Sequence, residues 1–146
     1  AMVYQPDALR HATYNYYRWR VNPGDMVTDY LLRDMRSTGI FGAVFSYRDP
    51  ESARFTIQGG VEEFLEQDEA GVGKAVLSMY VTLLDEDQQE ITGRVVFQRR
   101  YRASEPLKEQ TPEKLAQGMS IAMSNISMQL IKDVHAAVSE RIQKRE

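Results

Sequence analysis

Apolar residues recur at helical spacing behind a start signal at Asn22-Pro23-Gly24-Asp25. Asparagine can cap free amides, proline fits a first helical turn, and an early aspartate favours the positive end of the helix dipole. Gly39 supplies a left-handed stop. These signals predict a first helix over Pro23 to Thr38, whose apolar stripe is Met26, Val27, Tyr30, Leu31 and Met35.

A second helix is predicted from Pro112 to the end of the chain, with Thr111 as its cap. At about 1.5 Å per residue it would be on the order of 50 Å long. Its final stretch, "SERIQKRE", is nearly all polar and is expected to project or fray. Its apolar residues recur every three or four positions and form one stripe: Leu115, Met119, Ala122, Ile126, Leu130, Val134, Ala137 or Val138, and Ile142.

Period-two alternation marks three segments between these helices: "ARFTIQGGVEEFLEQDE", "GKAVLSMYVTLLDED" and "EITGRVVFQRRYRA". Their apolar members are Phe55, Ile57, Val61 and Leu65, then Leu77, Met79, Val81 and Leu83, then Ile91, Val95, Phe97 and Tyr101. Gly59-Gly60 is predicted to be a bulge or sharp bend. Alternation of this kind is typical of a sheet that is covered on one face, so the segments predict an antiparallel meander.

Two more strands complete the predicted architecture. "YNYYRWRV", residues 14–21, leads into the first helix, and "FGAVFSY", residues 41–47, follows it. The predicted order is β-α-β-β-β-β-α, an α+β fold with about five antiparallel strands and both helices on one face. A length of 146 residues indicates one domain over residues 1–146.

Composition narrows the classes of function. The net charge of −3 weakens a role as an electrostatic partner of nucleic acid or anionic lipid. The chain has no cysteine, which excludes disulfides, cysteine zinc sites and thiol nucleophiles. It contains no apolar run of the roughly 18 to 20 residues that a transmembrane helix needs.

Candidate chemistry is sparse. His11 and His135 belong to no metal or catalytic pattern, and the glycines of "AGVGK" lack phosphate-loop spacing. Two groups of acidic residues are predicted to be solvated: Glu62, Glu63, Glu66, Asp68 and Glu69 at a strand end, and Asp85, Glu86 and Asp87 in a hairpin turn. We therefore predict no catalytic residue, cofactor or metal, and the residues favour an interaction or binding module.

Arginines alternate with core residues in "RVVFQRRYR". A sheet of this kind could bind single-stranded nucleic acid, or its arginines could hold a protein partner, since arginine is enriched in interfaces. The final helix is a second candidate contact element. The predicted partner contacts are Arg18, Arg20, Arg100, Arg102, Met123 and Ser127.

The first third of the chain resembles the ABC-type transport auxiliary lipoprotein family, of the PqiC/YmbA-like kind. The matching residues are Tyr4, Tyr14, Tyr16, Trp19, Pro23, Leu32, Thr38, Gly39, Phe41 and Val44, with a looser match at Phe55, Ile57, Gly59, Val61 and Phe64. Arg20 stands where that family usually has alanine, and the family's lipobox cysteine and leader are absent from this chain.

The resemblance implies a periplasmic lipoprotein of Gram-negative bacteria, held at the outer membrane by an N-terminal lipid anchor. It implies an accessory, non-enzymatic subunit, expected to be a homo-oligomer, that works beside an ABC transporter and an MCE-family protein in lipid transport. No nucleic acid partner is implied. The alternative is a periplasmic module that binds a lipid or an envelope fragment in a groove between the helices and the sheet.

Overall fold

A computed structural model of the protein describes residues 23–44 and 53–145, and within these ranges it has an α+β fold. The elements in chain order are helix α1 (Pro23–Thr38), strands β1 (Phe55–Glu69) and β2 (Val72–Asp85), the single turn α2 (Ile91–Arg94), strand β3 (Val95–Pro106) and the long helix α3 (Pro112–Arg145). The predicted helix boundaries are confirmed, apart from a last residue at the end of the chain that lies outside the described ranges.

The three strands form an antiparallel sheet in the order β1-β2-β3. Val61 pairs with Met79, and Met79 pairs in turn with Tyr101. The tight β1–β2 connection uses left-handed backbone at Ala70 and Gly71, with φ of 54° and 82°. The predicted meander is confirmed, but about five strands are not shown. Residues 14–21 lie outside the described residues, and so do residues 45–47, whereas residues 41–44 are irregular.

Both helices pack on the same face of the sheet, which we call the inner face, as predicted. The core joins apolar side chains of α1, all three strands and α3 in one cluster. Leu77, Leu83, Ile126 and Leu130 are each exposed by 1% or less. The alternation of β2 therefore predicts its core residues correctly. The three-to-four spacing of α3 does the same from Leu115 to Val134.

Helix α3 begins and α1 ends at the predicted signals. The hydroxyl oxygen of Thr111 accepts a hydrogen bond from the amide of Lys114 at 3.2 Å, as a capping residue does. Gly39 has a φ of 69° directly after α1, in the left-handed region that favours glycine.

The prediction for β1 is wrong in two details. The register shift falls between Val61 and Glu63, after the glycine pair rather than at it. Because of this bulge Phe64 joins the inner-face core and Leu65 lies on the opposite face, paired with Val76. Gly59 is instead required by a close approach of strands, since a Cβ there would overlap the carbonyl oxygen of Tyr80.

The predicted start of the third strand is also wrong. Ile91 belongs to the helical turn α2 and is 78% exposed. A register shift between Leu83 and Leu84 pairs Val95 with Leu84, so Val96 packs against the core in place of Val95.

The end of α3 contacts the body of the protein, contrary to the prediction that it projects or frays. The guanidinium of Arg141 donates to the carboxylate of Asp85 at 3.4 Å and to the carbonyl of Gly93 at 3.2 Å. Ile142, predicted to belong to the core stripe, is 44% exposed. Among the described residues, no helix combines the length and the apolar character needed to span a bilayer.

Candidate functional site

The outer face of the sheet, opposite the helices, gathers charged and aromatic side chains from all three strands. Tyr80 pairs with Arg100, and Ser78 pairs with both Arg102 and Glu63. The β1 bulge is what brings Glu63 to this face, beside the two arginines. We call Glu63, Tyr80, Arg100 and Arg102 the outer-face cluster.

Glu63 holds the two arginines of this cluster in place. Its Oε1 accepts from Nε of Arg102 at 3.1 Å and from Nη2 of Arg100 at 3.4 Å. Nε of Arg100 also lies 3.0 Å from Oε1 of Glu62. The Glu63 side chain is 3% exposed, whereas those of Arg100 and Arg102 are 54% and 45% exposed. The buried Glu63 thus fixes the orientation of each arginine from the side of the sheet, while about half of each arginine side chain remains exposed to solvent.

Tyr80 adds an aromatic surface beside these arginines. It is 51% exposed, an unusual position for a large side chain in a central strand. Its ring lies over Gly60, where a Cβ would come within 2.8 Å of it. Because residue 60 is glycine, the Tyr80 ring has room to lie against the sheet.

A groove lies between α1 and β1, with a volume of about 950 Å³. Leu31, Met35, Ile57 and Val61 contribute to its largely apolar wall. Polar and charged groups also line it: Thr28, Arg54, Thr56, Gln58, Glu86 and Asp87. Pockets of this size and character commonly accept small ligands.

A buried carboxylate ties the start of β1 to the end of α3. The prediction that Asp85 lies in a solvated turn is wrong, because Asp85 is fully buried and binds Arg54 through two parallel hydrogen bonds of 3.0 Å. It also accepts from the amide of Asp87 at 3.1 Å and from Arg141. The hydrogen bonds from Arg54 lower the pKa of Asp85 below its usual range, against the effect of burial, so the group stays ionised.

Two further contacts fasten α3. The phenol of Tyr101 donates to Asp133 at 2.7 Å, and Arg99 pairs with the same carboxylate at 3.0 Å. Burial, followed by the bond to Asp133, raises the pKa of Tyr101. Ser127 donates to Asp34 of α1 at 2.6 Å. Each of these groups has an internal partner, which is typical of structural rather than reactive side chains.

The predicted contact residues fall into three groups. Arg100 and Arg102 come together on the outer face, and Arg18 and Arg20 lie outside the described residues. Met123 and Ser127 are buried, at 5% and 1% exposure, within the contact of α3 with the sheet and α1. Because no partner is present, the contact role of all six stays a prediction.

Sequence reasoning missed Glu63 and Tyr80. Glu63 was assigned to a solvated acidic strand end, yet it is buried between the arginines. A signal for Tyr80 existed, because it lies between Met79 and Val81, and the alternation of these core residues predicts that Tyr80 faces outward. No such signal existed for Glu63, since its face depends on the position of the bulge.

In the described portion of the chain, no group of three or more histidine, aspartate or glutamate side chains could hold a metal ion. The exposed guanidinium and phenol groups of this portion can bind carboxylates, carbonyls and aromatic surfaces, which are the contacts that protein interfaces use.

Comparison with known proteins identifies relatives. No match was found among curated proteins. In fold the chain is similar to the crystal structure of protein XCC0632 from Xanthomonas campestris, of the family model DUF330, with a TM-score of 0.71, 18% identity and 82% of this chain covered. The chain spans 65% of the length of that protein.

A second crystal structure, of a candidate lipoprotein from Caulobacter crescentus CB15, is similar in fold with a TM-score of 0.57 and 16% identity. It covers 82% of this chain and is covered over 86% of its own length. At these identities the likeness to both structures concerns the fold. The sequence match is more specific: residues 1–130 match the model of the ABC-type transport auxiliary lipoprotein component, and the chain belongs to that family.

Proposed function

We propose that this chain is a non-enzymatic auxiliary subunit of an ABC/MCE-type system that moves lipid or other hydrophobic compounds across the Gram-negative envelope. It acts through protein-protein contacts, from a lipid-anchored position on the periplasmic side of the outer membrane. Membership of the auxiliary lipoprotein family supports the accessory role and the lipoprotein character.

The observation that carries the proposed mode of action is the outer-face cluster. Arg100 and Arg102 are half exposed while the buried Glu63 fixes their positions. Arginines oriented in advance lose less side-chain entropy when they bind, and arginine and tyrosine dominate the energetics of many interfaces. Exposed Tyr80 beside them supplies apolar contact area. The cluster therefore suits a protein partner that presents carboxylates around an apolar centre.

The test is capture of the ABC and MCE components of the transport system by the tagged protein, extracted from native membranes and identified by mass spectrometry. We expect capture by the wild-type protein and a loss of at least about tenfold in the variant Tyr80→Ala/Arg102→Ala. Arg33→Ala is the matched control, because Arg33 is 66% exposed on α1, across the sheet from the cluster. Failure of the wild-type protein to capture either component would contradict the proposal.

A second candidate function, binding of a small ligand, is favoured by the groove between α1 and β1. Its volume of about 950 Å³ and its apolar wall suit a lipid or an envelope fragment. Native mass spectrometry of the purified protein distinguishes the two functions. Co-purified lipid on a monomer that captures no transporter component supports the groove, and Ile57→Trp, which fills the groove, should then remove the bound mass.

A further inference from the structure

The edge of β1 that faces away from β2 runs along the groove between α1 and β1. From Phe55 to Val61, β1 pairs with β2 on one side, and no other strand lies beside it within the described residues. Gln58 and Gly59 are exposed there. The backbone amides and carbonyls of such an edge are ready to pair with a further extended segment. We call residues 55–61 the open edge of β1.

The connection of the chain brings residues 14–21 to this groove. Gly24, the second residue of α1, lines the groove, and Val21 precedes it by three positions. Asn22 precedes a proline, which disfavours helical backbone at that residue and favours an extended approach to α1. Eight extended residues span roughly 26 Å at about 3.3 Å each, which is enough to follow the open edge of β1 along its length.

The alternation of this segment matches the two environments on either side of the open edge. In an extended strand successive side chains point to opposite faces, so Tyr17, Trp19 and Val21 share one face. That face suits the apolar wall of the groove, because aromatic side chains contribute large areas to a core. The opposite face carries tyrosines and arginines, as the outer face of the sheet does: Tyr14, Tyr16, Arg18 and Arg20.

The other segment beside the groove fits the open edge less well. Residues 45–52 connect Val44 with Ala53, and both of these residues line the groove. A proline cannot donate to a strand partner, and charged groups are costly against an apolar wall. The second half of this connection contains both kinds of residue: Arg48, Asp49, Pro50 and Glu51. Residues 14–21 have no proline, and the face with Trp19 has no charge.

We propose that residues 14–21 bind the open edge of β1 as an additional strand, with Tyr17 and Trp19 in the groove. The alternation then places Arg18 and Arg20 on the outer face, in one surface with the outer-face cluster. This rests on the proposed function, because it extends the surface by which the auxiliary subunit contacts its partner.

The two added arginines change the charge of the outer face. The arginines of the outer-face cluster are matched by Glu62 and Glu63, so these four charges sum to zero. Arg18 and Arg20 raise the sum to +2. The ring of Tyr80 leans over β1, towards the added strand, where an arginine can contact its face. The surface therefore selects a partner with an excess of carboxylates.

The position of Trp19 can be measured directly, because the chain has one tryptophan and no cysteine. Bimane, a fluorophore that tryptophan quenches on contact, is attached to the full chain at Thr28→Cys, on the rim of the groove. We expect its emission to be quenched relative to the same protein carrying Trp19→Phe. Arg33→Cys is the matched control without quenching, because Arg33 is 66% exposed and lies about 140° further around α1. Equal emission at Thr28→Cys with and without Trp19 would overturn the proposal.

Two neighbouring tyrosines test the assignment of faces. Tyr17→Asp puts a charge into the groove and should release the strand, so that amides of residues 14–21 exchange hydrogen at least about tenfold faster. Tyr16→Asp puts the same charge on the outer face and should change this exchange by less than about twofold. Equal changes in the two variants contradict the assignment. Co-purified lipid together with unquenched bimane at Thr28→Cys would overturn it in favour of a lipid in the groove.

Capture from native membranes separates failure of this inference from failure of the proposed function. Arg18→Ala/Arg20→Ala should lower capture of the transporter components by at least about tenfold, with Trp19 still quenching the label at Thr28→Cys. If this variant captures them as well as the wild-type protein does, the two arginines lie outside the contact surface and the proposed function stands. If the wild-type protein captures none while Trp19 quenches the label, the added strand is supported and the proposed function fails.

Discussion

Two buried carboxylates in this molecule have similar chemistry and different surroundings. Asp85 and Glu63 are each almost completely removed from solvent, and each lies between two arginines. Burial of a carboxylate is costly unless charge and hydrogen bonds compensate for it, and both sites provide arginine for that purpose.

The arginines differ in how far they are enclosed. Those around Asp85, Arg54 and Arg141, have side chains that are 21% and 27% exposed. Those around Glu63, Arg100 and Arg102, are 54% and 45% exposed. Asp85 uses both of its oxygens, whereas the contacts of Glu63 with these two arginines run through Oε1 alone.

The difference indicates two uses of one type of ion pair. Around Asp85 the charges are enclosed and join the start of β1, the β2–β3 connection and the end of α3, so this site stabilises the fold. Around Glu63 the carboxylate orients two arginines that are about half exposed, which is the arrangement on which the proposed contact surface rests. Isosteric replacement of each acid by its amide should therefore affect different properties.

The largest expected effect is that of Asp85→Asn. The amide leaves Arg141 without its anion and Arg54 with only the more exposed Asp87 at 3.5 Å, so we expect the free energy of unfolding to fall by about 3 to 5 kcal/mol. Urea denaturation followed by circular dichroism measures this loss. Asp87→Asn is the control: its side chain is 43% exposed, and the loss should be below about 1 kcal/mol. Similar losses in the two variants would contradict an enclosed structural role for Asp85.

The second prediction concerns the pH dependence of stability. The pKa of Asp85 is lowered in the folded protein, so the contribution of this group is complete above its unfolded pKa of about 3.9 and is lost as the pH falls through the lower folded pKa. The stability difference between the wild-type protein and Asp85→Asn should therefore shrink as the pH is lowered from about 5. Denaturation at a series of acidic pH values checks this, and a constant difference would show that Asp85 is not ionised in the fold.

A smaller, local effect is expected for Arg141→Ala. Asp85 keeps the bidentate bonds from Arg54, so the global loss should be about 1 to 2 kcal/mol. The last turns of α3 lose their anchor to Asp85 and Gly93, and their amide hydrogens should exchange faster. Hydrogen exchange read by mass spectrometry tests this. Faster exchange spread evenly over α3, rather than near its end, would contradict the anchoring role.

Periodicity in the sequence predicted the parts of the fold that depend on one element at a time. The alternation Leu77, Met79, Val81, Leu83 and the stripe from Leu115 to Val134 both lie in the core as expected. Arg100 and Arg102 could be assigned to the outer face because each neighbours Tyr101, which points inward.

Features that depend on several segments at once could not be read from these patterns. A bulge between Val61 and Glu63 changes which face each later residue of β1 occupies, and alternation carries no mark of its position. This is why Glu63 was assigned to a solvated strand end. The Asp85 site combines residues 54, 85 and 141, which only the tertiary fold brings together. The contact at the end of α3 could not be predicted either. The polar composition of "SERIQKRE" indicates exposure to solvent, whereas Arg141 within it binds Asp85.

The smallest expected change in stability, and the sharpest test of the comparison, is that of Glu63→Gln. The amide oxygen can still accept a hydrogen bond, and half-exposed Arg100 and Arg102 can turn towards water, so the loss should be only about 1 kcal/mol. Without the anion the two guanidinium groups lose their fixed orientation, and capture of a partner should fall by about tenfold. Denaturation and capture are measured together, with exposed Glu109→Gln as the control for loss of one negative charge. A stability loss as large as that of Asp85→Asn, with capture unchanged, would make Glu63 a second structural anchor and remove the distinction between the two sites.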